Sequence, residues 1–226
     1  MRPDGCSYLS LLATGSWLSG WPGPVAASFM GKTPGGADDS AITGVRLPRM
    51  ERVLVLGSGG AGKSTLAAEL GRRLGLPVIH LDREYWRPGW RESGQEEWAV
   101  RVQQLCRGRH WVMDGDYRGT LKLRFAACDG VIFLDLPRWL CLLRVLWRSI
   151  RYLGRTRPDM SDGCPERLPR PHFLRSILGY RQERLPMIVD LLARPGSRSV
   201  YVLRSPAEVQ RFLQELVSQE QSQGCR

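Results

Sequence analysis

The chain has 226 residues and carries 33 Lys and Arg against 22 Asp and Glu, a net charge of +11. That length suits one α/β domain with its own core, and the charge favours anionic partners without choosing among nucleotide, nucleic acid and lipid head group. Six cysteines without a CxxC pair or a cluster with histidine suit a reducing, cytoplasmic compartment rather than a disulfide or zinc scaffold, and no apolar run approaches the ~20 residues of a membrane span.

Residues 1–49 are rich in Gly, Pro, Ser and Ala and lack sustained periodicity. They read as a disordered or wrongly assigned extension, with Met50 near the natural start; Gly31-Lys32-Thr33 lacks the strand and upstream glycine of a phosphate loop and reads as chance. From Met50 the texture alternates. Short apolar runs at 52–56, 77–81, 109–113, 131–135 and 199–203 predict strands covered on both faces. Leu66, Leu70 and Leu74 mark a first helix, Trp98, Val102 and Leu105 a second, and Trp139, Leu142, Leu143, Leu146 and Ile150 a third. A last helix starts with Ser205 as N-cap, Pro206 at its first position and Glu208 three residues after the cap. Alternating strands and helices predict a three-layer α/β/α fold with a five-stranded parallel sheet over residues 50–221 and a tail at 222–226.

The clearest motif lies between the first strand and the first helix. Gly57, Ser58, Gly59, Gly60, Ala61, Gly62, Lys63, Ser64 and Thr65 fit GxxxxGK(S/T). Glycines let successive N–H groups turn inward around a phosphate, and the helix start adds its positive dipole end. Lys63 reaches the β- and γ-phosphates, and the Ser64 hydroxyl ligates Mg²⁺. The expected ligands are therefore ATP and Mg²⁺. Asp82 ends the second strand at the carboxyl edge of the sheet, where open α/β folds place ligands; the bland alternative is a cap for the next segment. Asp135 ends an apolar strand, Val-Ile-Phe-Leu-Asp, in the manner of a metal-holding carboxylate.

Around the phosphate loop, His80-Leu-Asp82, Tyr85-Trp-Arg-Pro-Gly-Trp90, Trp111-Val-Met-Asp-Gly-Asp-Tyr117, Phe133-Leu-Asp-Leu-Pro-Arg138 and the run 157–167 give the chain a specific texture. Together they resemble the adenylate-kinase-like small kinases, and more closely the bacterial topology modulation proteins, over about 52–213. The resemblance implies that Asp82 orients an acceptor or acts as base. It also implies that Asp114, of the Asp-Gly pair, helps hold Mg²⁺, with Asp135 as the alternative. Arg118 and Arg124 fall on the acceptor side, although either also reads as an arginine without a role. The Phe-Pro that adenylate kinases carry between the aspartate and the arginine is Asp116-Tyr117 here, a departure that bears on the acceptor. Trp86, Trp90 and Trp98 either stack an acceptor or pack a flap onto the sheet.

The third helix carries Arg144, Arg148, Arg151 and Arg155 on one face, apart from Leu142, Leu146 and Ile150. The resemblance puts Arg144 and Arg148 over the ATP phosphates and a lid at 154–171, whose closure excludes water. A solvated basic face, nucleic acid or an anionic membrane satisfies such a stripe as well. The reading is a monomeric, ATP-dependent small-molecule or nucleotide kinase with Lys63, Asp82, Asp114, Arg144 and Arg148 in catalytic roles. The alternatives are an ATP-regulated nucleic-acid-associated protein, though no nucleic-acid-binding motif appears, and a slow ATPase without a true acceptor.

Overall fold

The computed structural model describes residues 50–193 and 198–223, with side chains placed as far as residue 216. The expected extension at 1–49 lies outside the described residues.

Strand β1 (Arg52–Gly57) leads through the glycine loop into helix α1 (Lys63–Leu74), then β2 (Val78–His80) and a short α2 (Leu81–Tyr85). A hairpin, β3 (Trp86–Arg87) and β4 (Arg91–Glu92), comes before α3 (Gln95–Cys106), β5 (Trp111–Asp114), α4 (Arg118–Ala127) and β6 (Gly130–Leu134). Then come α5 (Arg138–Arg151), α6 (Pro171–Glu183), α7 (Leu185–Ala193), β7 (Ser199–Leu203) and α8 (Pro206–Gln223). The long strands form a five-stranded sheet in the order β2-β5-β1-β6-β7, every pairing parallel. All residues of β5 and β6 are buried, which is why they read as unbroken apolar runs rather than as alternation. One face of the sheet meets α1, whose Leu66, Ala67 and Leu70 join Val53, Val55, Ile132 and the α8 residues Phe212 and Leu213 in the core. On the other side α3 and α4 pack together, with α4 against β1. This is the three-layer P-loop NTPase fold.

The α8 start follows its sequence signal: Glu208 N–H donates to Ser205 Oγ at 3.2 Å, and the Glu208 carboxylate accepts from Arg204 N–H at 2.9 Å. Two features depart from expectation. The hairpin β3–β4 is too short for periodicity to reveal. In α5 the apolar residues that mark the helix in sequence are mostly not its core face: Cys141, Val145 and Ser149 are buried and Leu142 packs partly against the core, whereas Trp139, Leu143, Leu146 and Ile150 are exposed.

The register gathers the carboxyl ends of neighbouring strands. His80 pairs across from Asp114, Val55 from Asp114, and Gly57 from Leu134. Everything that follows these positions therefore stands along one edge of the sheet.

Candidate active site

At that edge the phosphate loop is held from two sides. Gly60 (φ 79°) adopts a left-handed backbone and leaves no room for a Cβ, which would run into the Cys141 carbonyl of α5. Gly62 (φ 94°) forms the left-handed entry to α1, a conformation an L side chain rarely adopts. From α6, the Phe173 ring closes over the loop, 2.9 Å from where a Cβ of Gly59 would stand. Lys63 Nζ donates to the Ser58 carbonyl at 2.9 Å, and Arg144 Nη1 donates to the Ala61 carbonyl at 3.3 Å. Both cations thus rest on the loop itself. Ser64 sits half-buried in the first helical turn, next to the exposed Thr65.

The arginine stripe divides. Arg144 turns to the loop, while Arg148 is half-buried with Nε 3.6 Å from Glu166, and burial lowers its pKa. Arg151 lies over the Trp147 ring, 5.0 Å from its centroid, and Arg155 is exposed. Neither of these belongs to the phosphate loop.

Asp114, at the end of β5, is buried and accepts from His80 Nδ1 at 2.7 Å. That hydrogen bond, ahead of the opposing burial, raises the His80 pKa above its ordinary value. No protein partner is found for His80 Nε2 among the described residues. Asp82, expected to end the second strand, lies instead in the first turn of α2 after β2 stops at His80; it accepts from the Tyr117 hydroxyl at 2.7 Å, so it is oriented by a side chain rather than serving as a cap. Asp135 is engaged elsewhere: Arg181 Nη2 donates to its Oδ2 at 2.9 Å. A carboxylate bound to an arginine in this way is poorly available to a metal.

The acceptor-side arginines also separate. Arg118 is exposed at the start of α4. Arg124 is fully buried at 0% exposure, donating to the Gly115 carbonyl at 2.9 Å and the Tyr117 carbonyl at 2.7 Å. Burial pulls its pKa down to about 10. Arg124 is therefore a brace for the turn that carries Asp116 and Tyr117, and its expected contact with an acceptor is not available to it.

Residues not assigned from sequence complete the cleft. Asp116 lies among Lys63, Arg184 and Tyr180, and burial raises its pKa against those cations. Arg184 Nε is 3.9 Å from its Oδ2. The Tyr180 hydroxyl lies against the Asp116 carboxylate, and Asp116 Oδ1 and Arg184 Nη1 are buried without a well-aligned partner. Such atoms cost ~1–3 kcal/mol each when left unsatisfied, so their gathering beside Lys63 marks a place completed by water or ligand. The only sequence signal was Asp116-Tyr117 standing in place of Phe-Pro.

The segment expected as a lid is tied down. Glu166 is buried and takes Ser149 Oγ at 3.0 Å and Arg157 Nε at 2.8 Å, while Gly154 N–H donates to the Glu166 carbonyl at 3.1 Å. Its far side clasps the hairpin: Trp90 Nε1 donates to the Pro165 carbonyl at 2.8 Å, and Gly89 N–H to the Gly163 carbonyl at 2.8 Å. Trp90 holds a left-handed backbone (φ 63°) in making that contact, uncommon for a bulky residue. The aromatics pack on one another, with Tyr85 and Trp98 4.7 Å and 4.9 Å from the Tyr117 ring. Trp98 is buried and Trp86 sits 5.3 Å from Trp90, so the tryptophans pack the flap.

No protein-family model matches the sequence, and no curated protein matches it. Among solved structures, a shikimate kinase from Acinetobacter baumannii in complex with shikimate is similar over 78% of this chain and 96% of its own, with 17% identity and a TM-score of 0.48. A shikimate kinase from Bacteroides thetaiotaomicron is similar over 75% and 98%, with 16% identity and a TM-score of 0.46. A gluconokinase from Sinorhizobium meliloti 1021 is similar over 75% and 90%, with 14% identity and a TM-score of 0.43. Likeness at this level carries no chemistry across to this chain. What the chain does must be argued from its own cleft.

Proposed function

We propose that the chain transfers the γ-phosphoryl group of ATP to a small-molecule acceptor. The observation that carries this reading is the register of the sheet edge, which sets the phosphate loop of β1 beside Asp114 at the end of β5 and His80 at the end of β2. A donor site and a row of titratable groups thus share one cleft. Lys63 and Arg144, now resting on loop carbonyls, swing onto phosphate oxygens and stabilise the charge that spreads there during transfer. Mg²⁺ would be held by Ser64 with help from Asp114 and would supply the positive charge that offsets the phosphates during transfer; Asp135, taken by Arg181, is left out. Asp82, aimed by Tyr117, receives the proton of the acceptor hydroxyl as that oxygen bonds to phosphorus and ADP departs. Arg118 is the exposed cation left for an anionic group on the acceptor.

The test is a screen of ATP consumption across nucleoside monophosphates, nucleosides, sugars and hydroxy acids, with the phosphorylated product located by mass. We expect acceptor-dependent ADP formation, abolished by Lys63→Ala with an unchanged melting temperature. ATP binding with no transfer to any class would leave hydrolysis as the activity. Unchanged ATP affinity in Lys63→Ala would overturn the phosphate-loop assignment itself.

A further inference from the structure

Helix α5 is apolar on two opposite sides. Its core side is Cys141, Val145 and Ser149. Its outer side presents Trp139, Leu143, Leu146, Trp147 and Ile150, and the chain adds Leu153 just beyond, all exposed; Ile150 is 69% and Trp147 62% exposed. A contiguous exposed apolar face of this kind marks an interaction site. The α5–α6 contact extends the face, since Arg138 Nη1 donates to the Leu178 carbonyl at 3.0 Å and Leu178 is itself exposed.

The charge around this face says what covers it. Exposed Arg138, Arg151 and Arg155 border it, and the guanidinium of Arg151 lies over the Trp147 ring. No Asp or Glu occurs between residues 138 and 158, nor between 167 and 182. Between these stretches Asp159 and Glu166 are paired with Arg157, and Asp162 is exposed on the turn between them. A second copy packed α5 against α5 would set these arginines against their own kind, since neither copy of the helix carries an Asp or Glu. A nucleic-acid duplex would meet a centre of indole and aliphatic groups that offers its phosphates nothing. Aliphatic centre, indoles and an all-basic rim are the composition of a helix lying in the plane of an anionic bilayer surface. No helix among the described residues is long and apolar enough to cross a membrane, so the contact is a surface one.

We infer that α5 docks the protein on anionic lipid, with Trp139, Trp147 and Ile150 entering the acyl boundary and Arg138, Arg151 and Arg155 meeting the head groups. The face is opposite the side that holds the phosphate loop, so docking leaves the nucleotide cleft accessible and does not depend on the proposed chemistry.

The full-length chain is sedimented with vesicles of phosphatidylcholine, and of phosphatidylcholine with phosphatidylglycerol, at low and high salt. Each basic residue near an anionic leaflet is worth about a fivefold gain in partition, so the arginine rim predicts about a hundredfold preference for the anionic vesicles that falls with salt. Trp147→Glu with Ile150→Glu should cut binding by about tenfold or more, and Arg151→Glu with Arg155→Glu should remove most of the lipid preference. Both variants change exposed side chains, and a melting temperature and ATP affinity equal to the parent's confirm an intact fold. Equal binding to both vesicles, or no loss in the Trp147/Ile150 variant, overturns the proposal. An absence of vesicle binding also overturns it; a dimer that Ile150→Glu dissolves, or salt-sensitive duplex DNA binding that the arginine variant loses, would then identify what covers the face instead.

Discussion

Arg118 and Arg124 are indistinguishable in sequence as basic residues after an Asp-Gly pair, yet one faces solvent and the other is sealed inside, answering two backbone carbonyls. Removing Arg124 strands those carbonyls and empties a large buried volume. Arg124→Leu should therefore cost about 3 kcal/mol in urea unfolding, whereas Arg118→Ala should leave the unfolding midpoint in place. A neutral Arg124→Leu would show that the turn holds Asp116 without its brace. His80 supports a second prediction. Its pKa is raised above 6.5 by Asp114, so the charged form is favoured by folding. The stabilisation is fully present below the ordinary value, and it is lost as pH rises through the raised one. Melting curves of the parent and His80→Asn should diverge most at mildly acid pH and converge in alkali; a gap that widens with pH would mean the pair is not ionic. Residue identities were readable before the structure, but pairings were not. Asp114 with His80 and Asp82 with Tyr117 are joined across 34 and 35 positions of chain, and nothing local encodes which carboxylate meets which partner.

The strands and the phosphate loop were legible as elements because each is a local pattern: an apolar run, then glycines at fixed spacing, then a helix. The orientation of α5 was not, because apolar residues fall on both of its sides and periodicity alone does not say which side meets the core. The segment at 154–171 was legible as a loop dense in Pro and Gly, but its anchoring was not. Two bridges, Leu153 with Glu166 and Thr156 with Pro165, fold it back on itself, and Glu166 sits beneath as the common partner of Ser149 and Arg157. Arg157 exposes only 8% of its side chain, so neutralising Glu166 leaves a buried guanidinium with Asp159 alone. Glu166→Gln should cost about 3 kcal/mol in urea unfolding, while Asp162→Asn on the exposed turn of the same segment should be neutral. A freely hinged lid would show the opposite, with Glu166→Gln unchanged in stability and altered only in turnover.

For the molecule as a whole, alternating strands and helices made a parallel sheet legible, but its order β2-β5-β1-β6-β7 was not, because strand neighbours are set by long-range pairing. The end of the sheet opposite the phosphate loop holds the first of the described residues in place. Asp129 accepts from Glu51 N–H at 3.1 Å and from Arg52 N–H at 3.0 Å, and the Glu51 carbonyl takes Trp111 N–H at 2.9 Å. Met50 is 5% exposed and packs on Gly130, where a Cβ would stand 2.6 Å from its sulfur. Among the described residues the core runs from Met50 to Leu216, and Met50 is held by contacts made among them. A chain beginning at Met50 should then unfold in one cooperative step within about 1 kcal/mol of the full-length protein and bind ATP with the same affinity. A chain beginning at Val53 should not, because it lacks the donors for Asp129 and the carbonyl for Trp111, and it opens the space above Gly130. If the chain beginning at Met50 failed to fold while the full-length protein did, residues 1–49 would have to supply part of the core, and the boundary at Met50 would be withdrawn.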